Sequence, residues 1–351
     1  MVEIFFPSSI DPTVSGMIAT PSPGISTLLF LGLITGLVRG RTRRLKRPSF
    51  LGVAAHISLG ILVAGSAACS GMRTPHGTDP GHPGSEIRRD LPYHKDDPHR
   101  VLDLHRPQAD GPLPAVILVH GGSWARGNRS RMERVADKAV ERGYAALNIE
   151  YRLAPEHRYP AQLIDVLDAV CWVRANSEAL DIDPDRIALW GYSAGGHLSL
   201  LAAARPDLAA ADSRCADVPA TVQACVAGAG PSDLRLLGGA RPVQAFLGGS
   251  PEEIPLIYEE ASPLVAADSD FPPTFLYHGR DDWIVNVEHS RRMRDALGAA
   301  GVSVELFETG GGHISGARFE VEPLDRAFDF LDRSLPKTSP PALAAEATEV
   351  E

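Results

Sequence analysis

A serine stands between glycines in Gly191-Tyr192-Ser193-Ala194-Gly195, after a strand-like run, Arg186 to Trp190, and before a helix-like one, Ala194 to Ala204. That context suits a nucleophile. A sharp strand-to-helix turn exposes the hydroxyl, and small neighbours leave the turn room to close. The N-terminus of the following helix favours negative charge developing beside it. Attack on a carbonyl also needs two backbone N–H donors aimed at the oxyanion. Ala194, directly after the serine, is expected to supply one. The other is expected from His120-Gly121-Gly122-Ser123-Trp124, which follows the apolar run Ala115 to Val119; Gly122 is favoured, with Gly121 or Ser123 beside it.

An acid and then a histidine complete such a set later in the chain. Gly279-Arg280-Asp281-Asp282 offers two carboxylates, of which Asp282 is favoured and Asp281 is the alternative. Gly310-Gly311-Gly312-His313 puts an imidazole on a turn from which it can reach the serine. His313 would take the Ser193 proton and return it to the leaving group, while Asp282 fixes the tautomer and stabilises the imidazolium. Other residues take plainer readings. His197, one helical turn after Ser193, reads as packed or capping. Glu156 and His157 read as pocket wall, and Trp124 as either a boundary of the acyl pocket or simple packing. His94, His99 and His105 match no metal-ligand spacing and read as surface, so no metal or organic cofactor is implied.

Alternating strands and helices must hold these residues. Ala115 to Val119, Ala145 to Tyr151, Arg186 to Trp190, Val222 to Ala227, Thr274 to His278 and Val302 to Phe307 read as strands. Met132 to Arg142, Pro160 to about Ser177, Ala194 to Ala204, Val287 to Ala300 and Leu324 to Leu335 read as helices. Turn-rich, charged sequence from Glu86 to Arg106 reads as antiparallel edge strands. The expected fold is α/β: a three-layer α/β/α sandwich around a mostly parallel sheet. Pro231 to Pro272 could form a small cap.

The chain has 351 residues, 44% hydrophobic and 22% charged, which excludes collagen-like, coiled-coil and wholly disordered classes. Six basic residues (Arg39, Arg41, Arg43, Arg44, Lys46, Arg47) against Glu3 and Asp11 lie in the first 69, so the rest is more acidic than the net charge of −10 suggests. A surface of that sign argues against a nucleic-acid partner. From Arg39 onward a basic stretch, the apolar run Phe50 to Ala68 and small residues before Cys69 give the layout of an export signal, complete without residues 1–37. Residues 1–69 are therefore expected to be a signal, a lipoprotein leader attached at Cys69, or a retained membrane anchor. Residues 70–84 read as a linker, 85–335 as the catalytic domain and 336–351 as a disordered tail. Four cysteines are too few for a disulfide scaffold. Cys171 reads as core; Cys215 and Cys225 could pair if the chain is exported, but Cys225 heads a buried strand, which speaks against that pairing.

His120-Gly121-Gly122, Tyr151-Arg152-Leu153-Ala154-Pro155-Glu156-His157, Asp183-Pro184-Asp185-Arg186-Ile187, Gly191 to Gly196, His278-Gly279-x-x-Asp282 and Gly312-His313 together resemble the carboxylesterases of the α/β-hydrolase fold. The resemblance is to hormone-sensitive-lipase-like esterases and the related BD-FAE group, over about residues 85 to 335. It implies Ser193 as nucleophile, Asp282 as acid and His313 as base. No N-terminal cap helices precede Glu86, and Ser123 stands where the larger group has the third glycine of its His-Gly-Gly-Gly run; both features point to the smaller esterases. The expected function is a serine carboxylesterase acting on short- to medium-chain esters through an acyl-enzyme. Its partner is a small-molecule ester, with possible membrane attachment through the N-terminal segment or a lipidated Cys69. An arylformamidase-like amidase is the alternative enzyme, because His-Gly-Gly-x-Trp occurs there too. A non-catalytic, surface-exposed binding protein on the same frame is the alternative of another class.

Overall fold

The structure is a computed structural model and describes residues 78–79, 85–95, 97, 99–211, 217–314 and 321–335. The expected leader, most of the expected linker and the expected tail lie outside the described residues. Strands β1 (Thr78–Asp79), β2 (Ser85–Pro92), β3 (Val101–Pro107), β4 (Leu113–Val119), β5 (Ala145–Ile149), β6 (Ile182–Tyr192), β7 (Ala224–Gly228), β8 (Thr274–Gly279) and β9 (Val304–Thr309) form one sheet in the order β1-β2-β3-β5-β4-β6-β7-β8-β9. The β1-β2, β2-β3 and β3-β5 pairs are antiparallel, and every pair from β5 across to β9 is parallel. The charged stretch from Glu86 thus forms the antiparallel edge that its composition predicts. Most parallel strands begin or end a few residues from their expected limits, as β6 does by starting at Ile182.

Side-chain alternation divides the interior into two cores. Ala115, Ile117 and Val119 of β4 face one, while Val116 and Leu118 face the other. On the first side lie α2 (Ala161–Ala175), α4 (Ala194–Ala204) and α7 (Glu288–Ala299); on the second lie α1 (Glu133–Glu141) and α8 (Val321–Ser334). Strands covered on both faces have no polar side to show, which is why β4 reads as an unbroken apolar run. Helix α3 (Ser177–Leu180) is a single turn before β6. The architecture is the expected three-layer sandwich.

The segment expected as a small cap holds two short helices, α5 (Arg241–Leu247) and α6 (Pro255–Glu260), and packs Val243, Phe246, Leu247 and Tyr258 into the first core. One open pairing is decided and two readings are amended. Cys225 is free and fully buried in β7, so it forms no pair with Cys215, which lies outside the described residues. Cys171 is core, as expected, but is also disulfide-bonded. His94 and His105 are buried rather than on the surface; His105 sits in β3 between β2 and β5, and burial pushes its pKa down.

Candidate active site

Strands β4, β6, β7, β8 and β9 run side by side and parallel, so their C-terminal ends share one edge of the sheet. Register brings those ends level: Val119 pairs with Gly191, Tyr192 with Gly228, and Gly279 with Thr309. The turns leaving β4, β6, β8 and β9 carry the glycine loop, Ser193, Asp282 and His313. In open α/β sheets this edge is where ligands bind.

Ser193 lies on the turn between β6 and α4 with φ 57 and ψ −121. For a side chain other than glycine that backbone costs about 1–3 kcal/mol. The turn closes because Gly195 has no Cβ: one placed there would lie 2.0 Å from the Val119 carbonyl oxygen. Ser193 occupies the N-cap of α4 without using its hydroxyl as a cap. The hydroxyl is directed to His313 instead, with Oγ 2.8 Å from Nε2.

The other imidazole nitrogen, Nδ1, lies 2.6 Å from Asp282 Oδ2. An ionised carboxylate can only accept, so Nδ1 carries the proton and Nε2 is left to accept from Ser193. Asp282 is buried. Burial opposes its ionisation, but hydrogen bonds from His278, His313 and the Val285 N–H outweigh it and hold its pKa below the usual carboxylate range. Its Oδ1 accepts from the N–H groups of Ile284 and Val285, each at 2.9 Å. Asp281, the alternative acid, is exposed, and its N–H is bonded to the Gly311 carbonyl.

Two residues that sequence reasoning gave no role support this set. His278 Nε2 lies 2.8 Å from the Val285 carbonyl and 3.3 Å from Asp282 Oδ2, so its N–H faces both. Its Nδ1 accepts from the Ser290 hydroxyl at 2.7 Å. The Tyr192 hydroxyl donates to the His313 carbonyl and holds the turn that carries the imidazole.

In the loop after β4, Gly122 has φ +141, and a Cβ there would meet the Arg126 carbonyl oxygen at 1.7 Å. Ser123 follows at φ 56 and Trp124 at φ 57. The left-handed backbone at Ser123 gives a physical reason for the glycine that the resembled esterases carry there. Gly121, Gly122, Ser123, Ser193 and His313 line a cavity of about 170 Å³ together with Arg126, Arg131, Met132, Tyr192, Ile284 and Ile314. Ala194 is buried behind it, and as the first residue of α4 its N–H has no intrahelical partner.

The plainer readings divide. His197 is fully buried: its Nε2 meets the Ala261 carbonyl at 2.7 Å, and its Nδ1 accepts from Trp124 Nε1 at 3.1 Å. Burial pushes its pKa down to about 4. Trp124 packs against Phe246. Glu156 and His157 do not wall the catalytic cavity; they line a separate one of about 840 Å³ that shares no lining residue with it. The two are kept apart because the loop after β5 is tied down to α2, with Arg152 clamped on the buried Asp165. Residues 231–272 contribute nothing to the catalytic cavity wall, since they pack beneath α4. Among the described residues no cluster could hold a metal ion.

The BD-FAE family model matches residues 102–297. Esterase LipC of Mycobacterium tuberculosis is 31% identical over 69% of this chain and 62% of its own length, so the match spans less than two-thirds of that relative. Among solved structures, a bacterial heroin esterase is similar with a TM-score of 0.60 and 29% identity, covering 72% of this chain and 85% of that one. The propionate-bound esterase Est2 of Thermogutta terrifontis matches with a TM-score of 0.60 and 25% identity, over 72% of this chain and 94% of that one.

Proposed function

Because this chain belongs to the BD-FAE family, we propose that it is a serine carboxylesterase that hydrolyses short- to medium-chain esters through an acyl-enzyme. One observation carries the reading: His313 bridges Ser193 and the buried Asp282 at the wall of a cavity. In the proposed mechanism Ser193 Oγ attacks the ester carbonyl as its proton passes to His313 Nε2. The N–H groups of Ala194 and Gly122, with Gly121 beside them, stabilise the oxyanion. His313 then protonates the leaving alcohol, and a water molecule, deprotonated by the same imidazole, releases the acid. Asp282, held ionised by its donors, stabilises the imidazolium formed in both steps.

A cavity of about 170 Å³ favours a short acyl group, and the propionate held by Est2 agrees with that size. Hydrolysis of p-nitrophenyl esters from acetate to palmitate tests this, with Ser193→Ala as the control. Serine-dependent turnover that falls with chain length is expected. A rate that rises toward palmitate would contradict the short-chain reading.

The same proposal takes residues 85–335 as the catalytic domain and 1–69 as an export leader, lipidated at Cys69 or kept as an anchor. The disulfide at Cys171 supports export, because such bonds persist in oxidising compartments. Cell fractionation that finds the protein in the cytosol would contradict it.

A further inference from the structure

Two arginines, Arg126 and Arg131, line the cavity that holds Ser193 and His313, and no carboxylate is among its lining residues. Several guanidinium groups nearby are matched: Arg129 and Arg89 meet Asp103, Arg152 meets Asp165, and Arg100 meets Asp165 and Asp168. Neither Arg126 nor Arg131 has an ion-pair or side-chain hydrogen-bond partner among the described residues. Both are exposed, on a chain whose net charge is −10. A positive pair at this mouth therefore runs against the sign of the whole molecule.

The backbone fixes where both side chains start. The Arg126 N–H donates to the Gly122 carbonyl at 3.1 Å, so Arg126 rises beside the residue assigned to the oxyanion. Arg131 lies in the 3₁₀ turn Arg129–Met132, held by its N–H to the Asn128 carbonyl at 3.1 Å and by the burial of Met132 in the second core. Ile284 and Ile314, from the loops that carry Asp282 and His313, supply apolar wall. One wall accepts carbon, and the other offers two unmatched cations.

We propose that Arg126 and Arg131 select ester substrates that carry a carboxylate, so that the preferred substrate is an anionic monoester rather than a neutral ester. This rests on the esterase reading and narrows its substrate class. Guanidinium groups bind carboxylates through paired, charge-assisted hydrogen bonds, and two of them at one mouth also raise the local concentration of an anion. The carboxylate can sit in the acyl half, as in a half-ester of a dicarboxylic acid, or in the alcohol half.

Two matched pairs of probes separate these sources. The p-nitrophenyl half-ester of glutaric acid against its methyl ester places the charge in the acyl half. Para-acetoxybenzoate against its methyl ester places it in the alcohol half. The acid is expected to exceed its methyl ester in kcat/KM by about tenfold in one pair at low salt, a modest factor because both arginines are solvated. That preference shrinks as sodium chloride screens the charges. In the Arg126→Gln/Arg131→Gln double variant the acid-to-ester ratio falls to one or below, while the corresponding double lysine variant retains a preference for the acid.

A wild-type ratio at or below one in both pairs would overturn the inference and leave the esterase reading standing. A double glutamine variant that slows acid and methyl ester equally would also overturn it, because the arginines would then serve loop geometry rather than recognition. Failure of the esterase reading itself looks different: Ser193-dependent turnover would be absent for every probe, and the inference would fall with it.

Discussion

Asp282 shows how several weak contacts set one ionisation state. It is buried, which alone would raise its pKa, yet N–H groups from Ile284, Val285, His278 and His313 surround its two oxygens. Asp282→Asn is expected to lower kcat by about three to four orders of magnitude, because the amide N–H turns the imidazole to the tautomer that cannot accept from serine. His278 acts on Asp282 and not on the substrate. His278→Ala should cost about tenfold in kcat, and His278→Gln, which keeps a donor, should cost less. Steady-state kinetics on one soluble ester check both. Residue types and their order made Ser193, Asp282 and His313 legible in the sequence, because the chemistry needs those groups on local glycine turns. The support from His278 and Tyr192 was not legible: each joins segments that meet only in space, and neither side chain is unusual in type. Arg126 and Arg131 stayed hidden for the same reason.

Between strand and helix, the decisive contact is the approach of α4 to β4. Nearly all of α4 is buried, and Gly195 lets its first turn lie against the Val119 carbonyl. Gly195→Ala forces that turn away from the strand. Overpacking of this kind costs about 1–3 kcal/mol, and backbone contact places this site at the upper end. The urea midpoint is expected to fall accordingly, with esterase activity lost at concentrations where the variant is still folded, because Ser193 moves with the turn. Strand patterning in the sequence recovers β4 to β9, most plainly in β4, β5, β7 and β8, which are buried throughout. It misplaces their ends, and it misses the burial of His105, because edge-strand polarity reads as exposure. It also assigns Glu156 and His157 to the catalytic wall, since only the Arg152–Asp165 clamp shows where that loop turns.

Across the molecule, stability should depend on pH through histidines buried without charge. His197 and His289 both have pKa values pushed down to about 4, chiefly by burial. In the unfolded chain they titrate near 6.5, so between those values the unfolded state binds more protons. The stability they contribute is full above about pH 6.5 and is lost as pH falls toward 4, by about 3 kcal/mol for each histidine. Urea midpoints measured at pH 7.5, 6 and 5 check the direction; an unchanged midpoint would contradict it. Asp282 adds to the loss only at lower pH, since its folded pKa is depressed and its contribution disappears as pH falls through that value.

The most direct test of the whole account is covalent capture at Ser193. Native protein is incubated with a fluorophosphonate and the modified peptide is identified by mass spectrometry. The account predicts one adduct, on Ser193, that forms quickly in wild-type protein and is slowed strongly in His313→Ala. Folded protein that stays unlabelled, or that carries the adduct on another residue, would contradict it.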